Sequence, residues 1–249
     1  PLVVINGFSS GQNALFILVH AFAKHYRIVT FDNRGIGGSD KPTGPYSMPM
    51  MAGDTIGLMD FLGIDRAHLM GLSMGGMVAQ HIAIDYPQRV DKLILCSTSA
   101  GGQPLREMLF DLAEATTPNW NRSQSDFASA DLRKLRDAMA SRTFNGPFHR
   151  LVLAPLAYLF FRRFMTQVPA GQIEAMMTHD VLDRLHLIQA ATLVLTGSQD
   201  RLIAPQSSEE LASRITGAKL VSIDGGSHGL GTEMAGRFNK EVLEFLRSD

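Results

Sequence analysis

The chain carries Gly71-Leu72-Ser73-Met74-Gly75 where an apolar run, Ala67 to Leu72, gives way to a helical pattern from about Met74 to Tyr86. A Gly-x-Ser-x-Gly at a strand-to-helix turn is a nucleophile elbow. The turn leaves no room for side chains at Gly71 and Gly75, and its strained backbone pushes the serine Oγ out above a sheet. The first turn of the following helix aims free N–H groups and a positive dipole end at an oxygen that gains charge. Chance matches to this pattern are common in long sequences. The strand–turn–helix setting gives this one its weight, making Ser73 the candidate nucleophile and the Met74 N–H a candidate oxyanion donor.

A serine hydroxyl needs a base to take its proton and an acid to orient that base. The chain has eight histidines. His20, His25, His68 and His81 lie in or beside core elements, and His149, His179 and His186 fall in or near a helical insertion, where they are expected at its surface, with substrate contact the lesser reading. His228 stands apart, in Gly225-Gly226-Ser227-His228-Gly229 between the last strand and the final helix. No packing role suggests itself there, so His228 is the candidate base. Asp200 follows the strand-like run Thr192 to Thr196 and a turn, which makes it the candidate acid; capping a turn ahead of Pro205 is compatible with that role. Asp224 is the rival, but it stands too close to His228 along the chain to reach behind the ring. The loop Asn6-Gly7-Phe8-Ser9-Ser10 offers the Phe8 N–H as second oxyanion donor, since Gly7 lets the backbone turn inward.

These groups need a scaffold. Short β-rich runs (Leu2–Ile5, Arg27–Phe31, Ala67–Leu72, Lys92–Cys96, Thr192–Thr196 and Lys219–Ile223) alternate with helical patterns at about Asn13–His25, Met50–Leu62, Met74–Tyr86, Pro205–Ile215 and Glu233–Leu246. That alternation predicts an α/β fold with a doubly wound, mostly parallel sheet. Gly75, Gly76, Ala79 and Ala83 let one helix lie close on the strands, and Pro87 ends it. The alternation breaks in the middle. Residues 1–102 and 184–249 read as the core, and 103–183 as a helical cap inserted between core strands. Met108, Leu109, Phe110, Met139, Leu156, Leu159, Phe160, Met165, Met176 and Met177 give that insertion soft apolar surface, mostly core packing with some left for an apolar pocket. Arg162 and Arg163 are expected on a solvated helix face, with carboxylate recognition the lesser reading.

The 249 residues carry a net charge of −1 with no basic run, which argues against nucleic acid or an anionic membrane as partner. The expected partner is a small-molecule substrate. Cys96, the single cysteine, lies in an apolar run and reads as a buried thiol, with no sign of an oxidising compartment. The most apolar stretch, Leu151 to Phe164, is too short and too broken to span a bilayer. No secretory signal pattern opens the chain. A cytoplasmic location is the expectation.

Taken together, the chain resembles the α/β-hydrolase superfamily over nearly its whole length outside the cap. The resemblance is carried by Phe31-Asp32-Asn33-Arg34-Gly35-Ile36-Gly37-Gly38-Ser39, the elbow at 71–75, Leu193 to Pro205, and Gly225 to Gly229. It is similar to the small capped hydrolases that include carboxylesterases, 3-oxoadipate enol-lactonases and cofactor-free bacterial haloperoxidases. The resemblance implies a serine hydrolase of esters or lactones with a small to medium apolar substrate, needing no metal or organic cofactor. It assigns Asp32, Arg34 and Ser39 a structural role in shaping a loop near the active site. Perhydrolase, C–C bond hydrolase and hydroxynitrile lyase chemistry use the same triad, and a ligand-sensing protein could keep it, so these stay open. Two departures stand out. The family commonly has His-Gly in the oxyanion loop where this chain has Asn6-Gly7, and the chain opens at the family's third strand. Leading strands are therefore expected upstream, and an open edge beside Arg27–Phe31.

Overall fold

The structure, a computed structural model, describes residues 1–117, 132–144 and 169–248. Six strands form one parallel sheet: β1 (Leu2–Ile5), β2 (Ile28–Thr30), β3 (Ala67–Leu72), β4 (Val90–Cys96), β5 (Ala191–Gly197) and β6 (Lys219–Ile223), in the order β2-β1-β3-β4-β5-β6. Each expected strand is present, within two residues at its ends. Among the described residues β2 and β6 are the outer strands of the sheet.

Strand side chains alternate between faces, so the sheet buries two separate apolar layers. Val3, Ile5, Leu69 and Leu93 pack on one side with α2 (Met48–Phe61), α3 (Met74–Asp85) and α7 (Pro205–Arg214). Leu2, Val4, Met70 and Ile94 pack on the other with α1 (Phe16–His20) and α9 (Ala235–Arg247). Helix α9 presents Phe238, Val242, Phe245 and Leu246 to the sheet, the i, i+4, i+7, i+8 stripe of a helix with one buried face. Helix α3 is buried all round because α2 covers its outer side. Gly76 shows how close it lies: a β-carbon there would sit 2.6 Å from the Thr98 side chain.

The expected helix over Asn13–His25 is broken. A 3-10 turn at Gln12–Leu15 precedes the five residues of α1, and i→i+3 bonds such as Phe22 N–H to Val19 C=O then turn the chain. That turn buries Phe22 fully, edge-to-face with Phe238; tertiary packing overrides local helical preference.

Between β4 and β5 lie α4 (Gly102–Thr116), α5 (Leu132–Thr143) and α6 (Ala170–Met177). The two ends of this insertion are fastened together: Gly102 N–H donates to His179 C=O at 2.9 Å and Val181 N–H to Ala100 C=O at 3.0 Å. His179 is 2% exposed and stacks edge-on against His81, so its expected surface position is corrected. Leu109, Met176 and Met177 are core residues. Leu156, Leu159, Phe160, Met165, Arg162, Arg163 and His149 lie outside the described residues. Among the described residues no helix is long and apolar enough to cross a membrane.

Candidate active site

Because the strands run parallel, the loops leaving β1, β3, β4, β5 and β6 all emerge at one edge of the sheet. Ser73 follows β3 with φ 53° and ψ −120°, a left-handed region that a non-glycine residue occupies only under tertiary constraint. The constraint is visible on both sides. A β-carbon on Gly75 would lie 2.1 Å from the Ile5 carbonyl oxygen, and one on Gly71 would lie 2.5 Å from that of Gly75. Ser73 N–H donates to Cys96 C=O at 2.9 Å, and Thr98 Oγ1 donates to Ser73 C=O at 2.7 Å.

Ser73 Oγ lies 3.1 Å from His228 Nε2, and His228 Nδ1 lies 2.9 Å from Asp200 Oδ2. An ionised carboxylate only accepts, so the contact with Asp200 places the proton on Nδ1 and leaves the Nε2 lone pair facing the serine hydroxyl. The Asp200 side chain is fully buried and His228 is 9% exposed. The other Asp200 oxygen, Oδ1, accepts from the N–H groups of Leu202 and Ile203, each at 2.9 Å. Asp200 thus closes its own turn and faces the imidazole. Asp224 accepts instead from Ser198 Oγ at 3.2 Å.

Ser73 and His228 line a cavity of about 280 Å³. Leu18, Leu72, Met139, Phe144 and Leu202 give it apolar surface, while Asn6, Ser9 and Ser97 add polar groups. Of the apolar residues proposed for the insertion, Met139 reaches this cavity. Gly7 and Phe8 also line it, and a β-carbon on Gly7 would come within 3.3 Å of the Ser73 β-carbon. Cys96 lies at the cavity too, but burial pushes its thiol up to about 12, so it stays protonated at neutral pH. Among the described residues no three acidic, histidine or cysteine side chains come together in a way that could hold a metal ion.

The stretch from Asp32 to Ser39 shapes its own loop. Asp32 accepts from Gly38 N–H at 2.8 Å and Gln12 N–H at 2.6 Å, and Ser39 Oγ donates to Asp32 C=O at 2.5 Å. Arg34 pairs through two nitrogens with Asp54.

Four contacts lie beyond the reach of motif reading. Asn33 Nδ2 donates to Asn6 C=O at 3.1 Å. Gln172, on α6, accepts from Ser9 N–H at 3.0 Å. Thr143 C=O accepts from Ser227 Oγ at 2.8 Å and from Gly229 N–H at 2.7 Å. The one sequence signal among these is Gln172, a polar residue on the buried stripe of α6 beside Ile173, Ala175 and Met176.

Comparison with known proteins agrees with this architecture. Residues 1–232 match the family described as alpha/beta hydrolase fold. The poly(3-hydroxyalkanoate) depolymerase of Ectopseudomonas oleovorans is 31% identical, over 91% of this chain and 77% of that protein. A Caulobacter segnis protein provisionally named carbamate hydrolase RutD is 27% identical, over 98% of this chain and 91% of its own. The crystal structure of the enol-lactonase from Burkholderia xenovorans LB400 superposes with a TM-score of 0.83 at 30% identity, covering 99% of this chain and 91% of that one.

Proposed function

The chain belongs to the alpha/beta hydrolase family, and from that premise we propose that it is a serine hydrolase of carboxylic esters or lactones. The observation that carries this reading is the continuous line from Ser73 Oγ through His228 to the buried Asp200, with contacts of 3.1 and 2.9 Å. In the proposed reaction His228 Nε2 takes the Ser73 proton as Oγ bonds to the substrate carbonyl carbon. The oxyanion is held by the N–H groups of Phe8 and Met74. Collapse of the intermediate breaks the bond to the leaving oxygen, which takes the proton from His228. Water, deprotonated by the same imidazole, then releases the acid and restores Ser73.

Residues 103–183 act as the cap in this reading, since Met139, Ala140, Thr143 and Phe144 of that segment line the cavity. The mainly apolar wall suits an acyl group of small to medium size. A second reading, cleavage at a carbamate carbonyl, is favoured by the likeness to the Caulobacter protein; the same nucleophile and oxyanion donors would serve it.

The test is labelling with a fluorophosphonate probe followed by peptide mapping. Modification at Ser73, abolished in Ser73→Ala and His228→Ala, is the expected result. A folded protein that takes no label would overturn the proposal. Parallel turnover of p-nitrophenyl butyrate and an aryl carbamate decides between the two carbonyl classes.

A further inference from the structure

The oxyanion loop contains a weakness that its own sequence does not repair. The proposed donor, the Phe8 N–H, belongs to the Gly7–Phe8 peptide, and glycine leaves the dihedrals ahead of it the least restricted of any residue. Glycine fits here without disturbing the nucleophile, because a β-carbon would sit 3.3 Å from the Ser73 β-carbon and ask the serine to give by a few tenths of an ångström. A donor that catalyses by being preorganised therefore needs to be held from outside the loop.

Two carboxamides hold it. Asn33 Nδ2 donates to Asn6 C=O at 3.1 Å, which fixes the peptide plane before Gly7–Phe8. Gln172 Oε1 accepts from Ser9 N–H at 3.0 Å, which fixes the plane after it. Ser9 itself sits at φ 55°, a conformation serine does not hold unaided. Gln172 Nε2 donates to Arg34 C=O at 2.9 Å, next to Asn33, so the two braces share one anchor. Gln172 is completely buried and comes from α6, 163 residues along the chain from Ser9. A planar amide that donates and accepts is what one buried side chain needs to satisfy an N–H and a C=O together.

We infer that Gln172 is a positioning residue for the Phe8 oxyanion donor, acting from the insertion through Ser9. The inference rests on the serine hydrolase reading above. It predicts that Gln172 contributes to transition-state stabilisation while leaving substrate affinity nearly untouched.

The experiment measures kcat and KM for p-nitrophenyl butyrate, and the rate of fluorophosphonate labelling, in wild type, Gln172→Leu and Gln172→Glu. The expected result for Gln172→Leu is a loss of about tenfold to a hundredfold in kcat, a parallel loss in labelling rate, and KM within about twofold. Gln172→Glu, the nearly isosteric variant, carries the test if Gln172→Leu does not fold. Its carboxylate can accept from Ser9 but not donate to Arg34, whereas its protonated form can do both. The ratio of its kcat to that of wild type should therefore rise as pH is lowered. A folded Gln172→Leu with unchanged kcat, a loss confined to KM, or a lowered kcat for Gln172→Glu whose ratio to wild type does not move with pH would overturn the inference. Wild type that neither hydrolyses the ester nor labels at Ser73 would instead overturn the hydrolase reading beneath it.

Discussion

The carbonyl of Thr143, at the end of α5, accepts the N–H of Gly229 at 2.7 Å, one residue beyond His228. The histidine loop therefore leans on the insertion as well as on β6. Gly229 has no room for a side chain, since a β-carbon would lie 2.3 Å from the Phe144 ring. Gly229→Ala should cost about 1–3 kcal/mol of stability and lower kcat about tenfold by displacing His228. Adding Phe144→Leu should restore part of both. Urea melts and ester kinetics on the single and double variants check this, and strict additivity would count against the contact.

Asp200 has two separable duties. Asp200→Asn keeps an oxygen for the N–H groups of Leu202 and Ile203 but cannot hold the same imidazole tautomer. It should lower kcat by about 10⁴ with little change in melting temperature. Asp200→Ala should add a stability loss of about 1–3 kcal/mol from the abandoned buried donors. Calorimetry beside kinetics separates the two effects; equal melting temperatures for both variants would contradict the turn-closing role.

The residues doing the proposed chemistry were legible in the sequence for a definite reason. Ser73, His228 and Asp200 each occupy a turn after a strand, and glycine marks all three turns. Strand order then brings them together without further specification. Gln172 and Thr143 sit within or at the end of helices far along the chain, and their partners at Ser9 and Gly229 carry no matching motif. Such contacts are decided by tertiary packing, as is the break after α1, where burial of Phe22 outweighs helical propensity. His179 escaped for a related reason: its burial follows from the closure of the insertion's two ends.

Gly75→Ala tests how closely the elbow depends on space. With its β-carbon 2.1 Å from the Ile5 carbonyl oxygen, α3 would have to move away from β1 and carry the Met74 N–H with it. A loss of about 3 kcal/mol, together with weak labelling at Ser73, is expected. Soluble protein with wild-type labelling kinetics would show that the backbone yields more easily than this packing implies.

Acid should destabilise the fold through the buried histidine pair. Burial, reinforced by His81, pushes His179 down to about 3. Burial also lowers His81, opposed by Asp85 at its Nδ1, while nearby Arg184 lowers it further. The unfolded chain takes up a proton near the ordinary histidine value of about 6.5 that the folded chain refuses, so stability is complete above that pH and declines below it. His179 alone should contribute a slope of about 1.4 kcal/mol per pH unit down to its folded value. Urea midpoints at pH 7.5, 6 and 5 for wild type and His179→Leu measure it. Identical slopes for the two proteins would assign the acid sensitivity to other groups.

The grip of the insertion on both loops limits how these enzymes could be recombined. A helical segment taken from a relative to change acyl preference would arrive without the acceptor at 143 and the carboxamide at 172 unless both were grafted with it. On the proposed reading, the region that meets the substrate and the region that aligns the reacting groups are one inheritance unit, and a chimera that splits them should bind its new ligand while turning it over slowly.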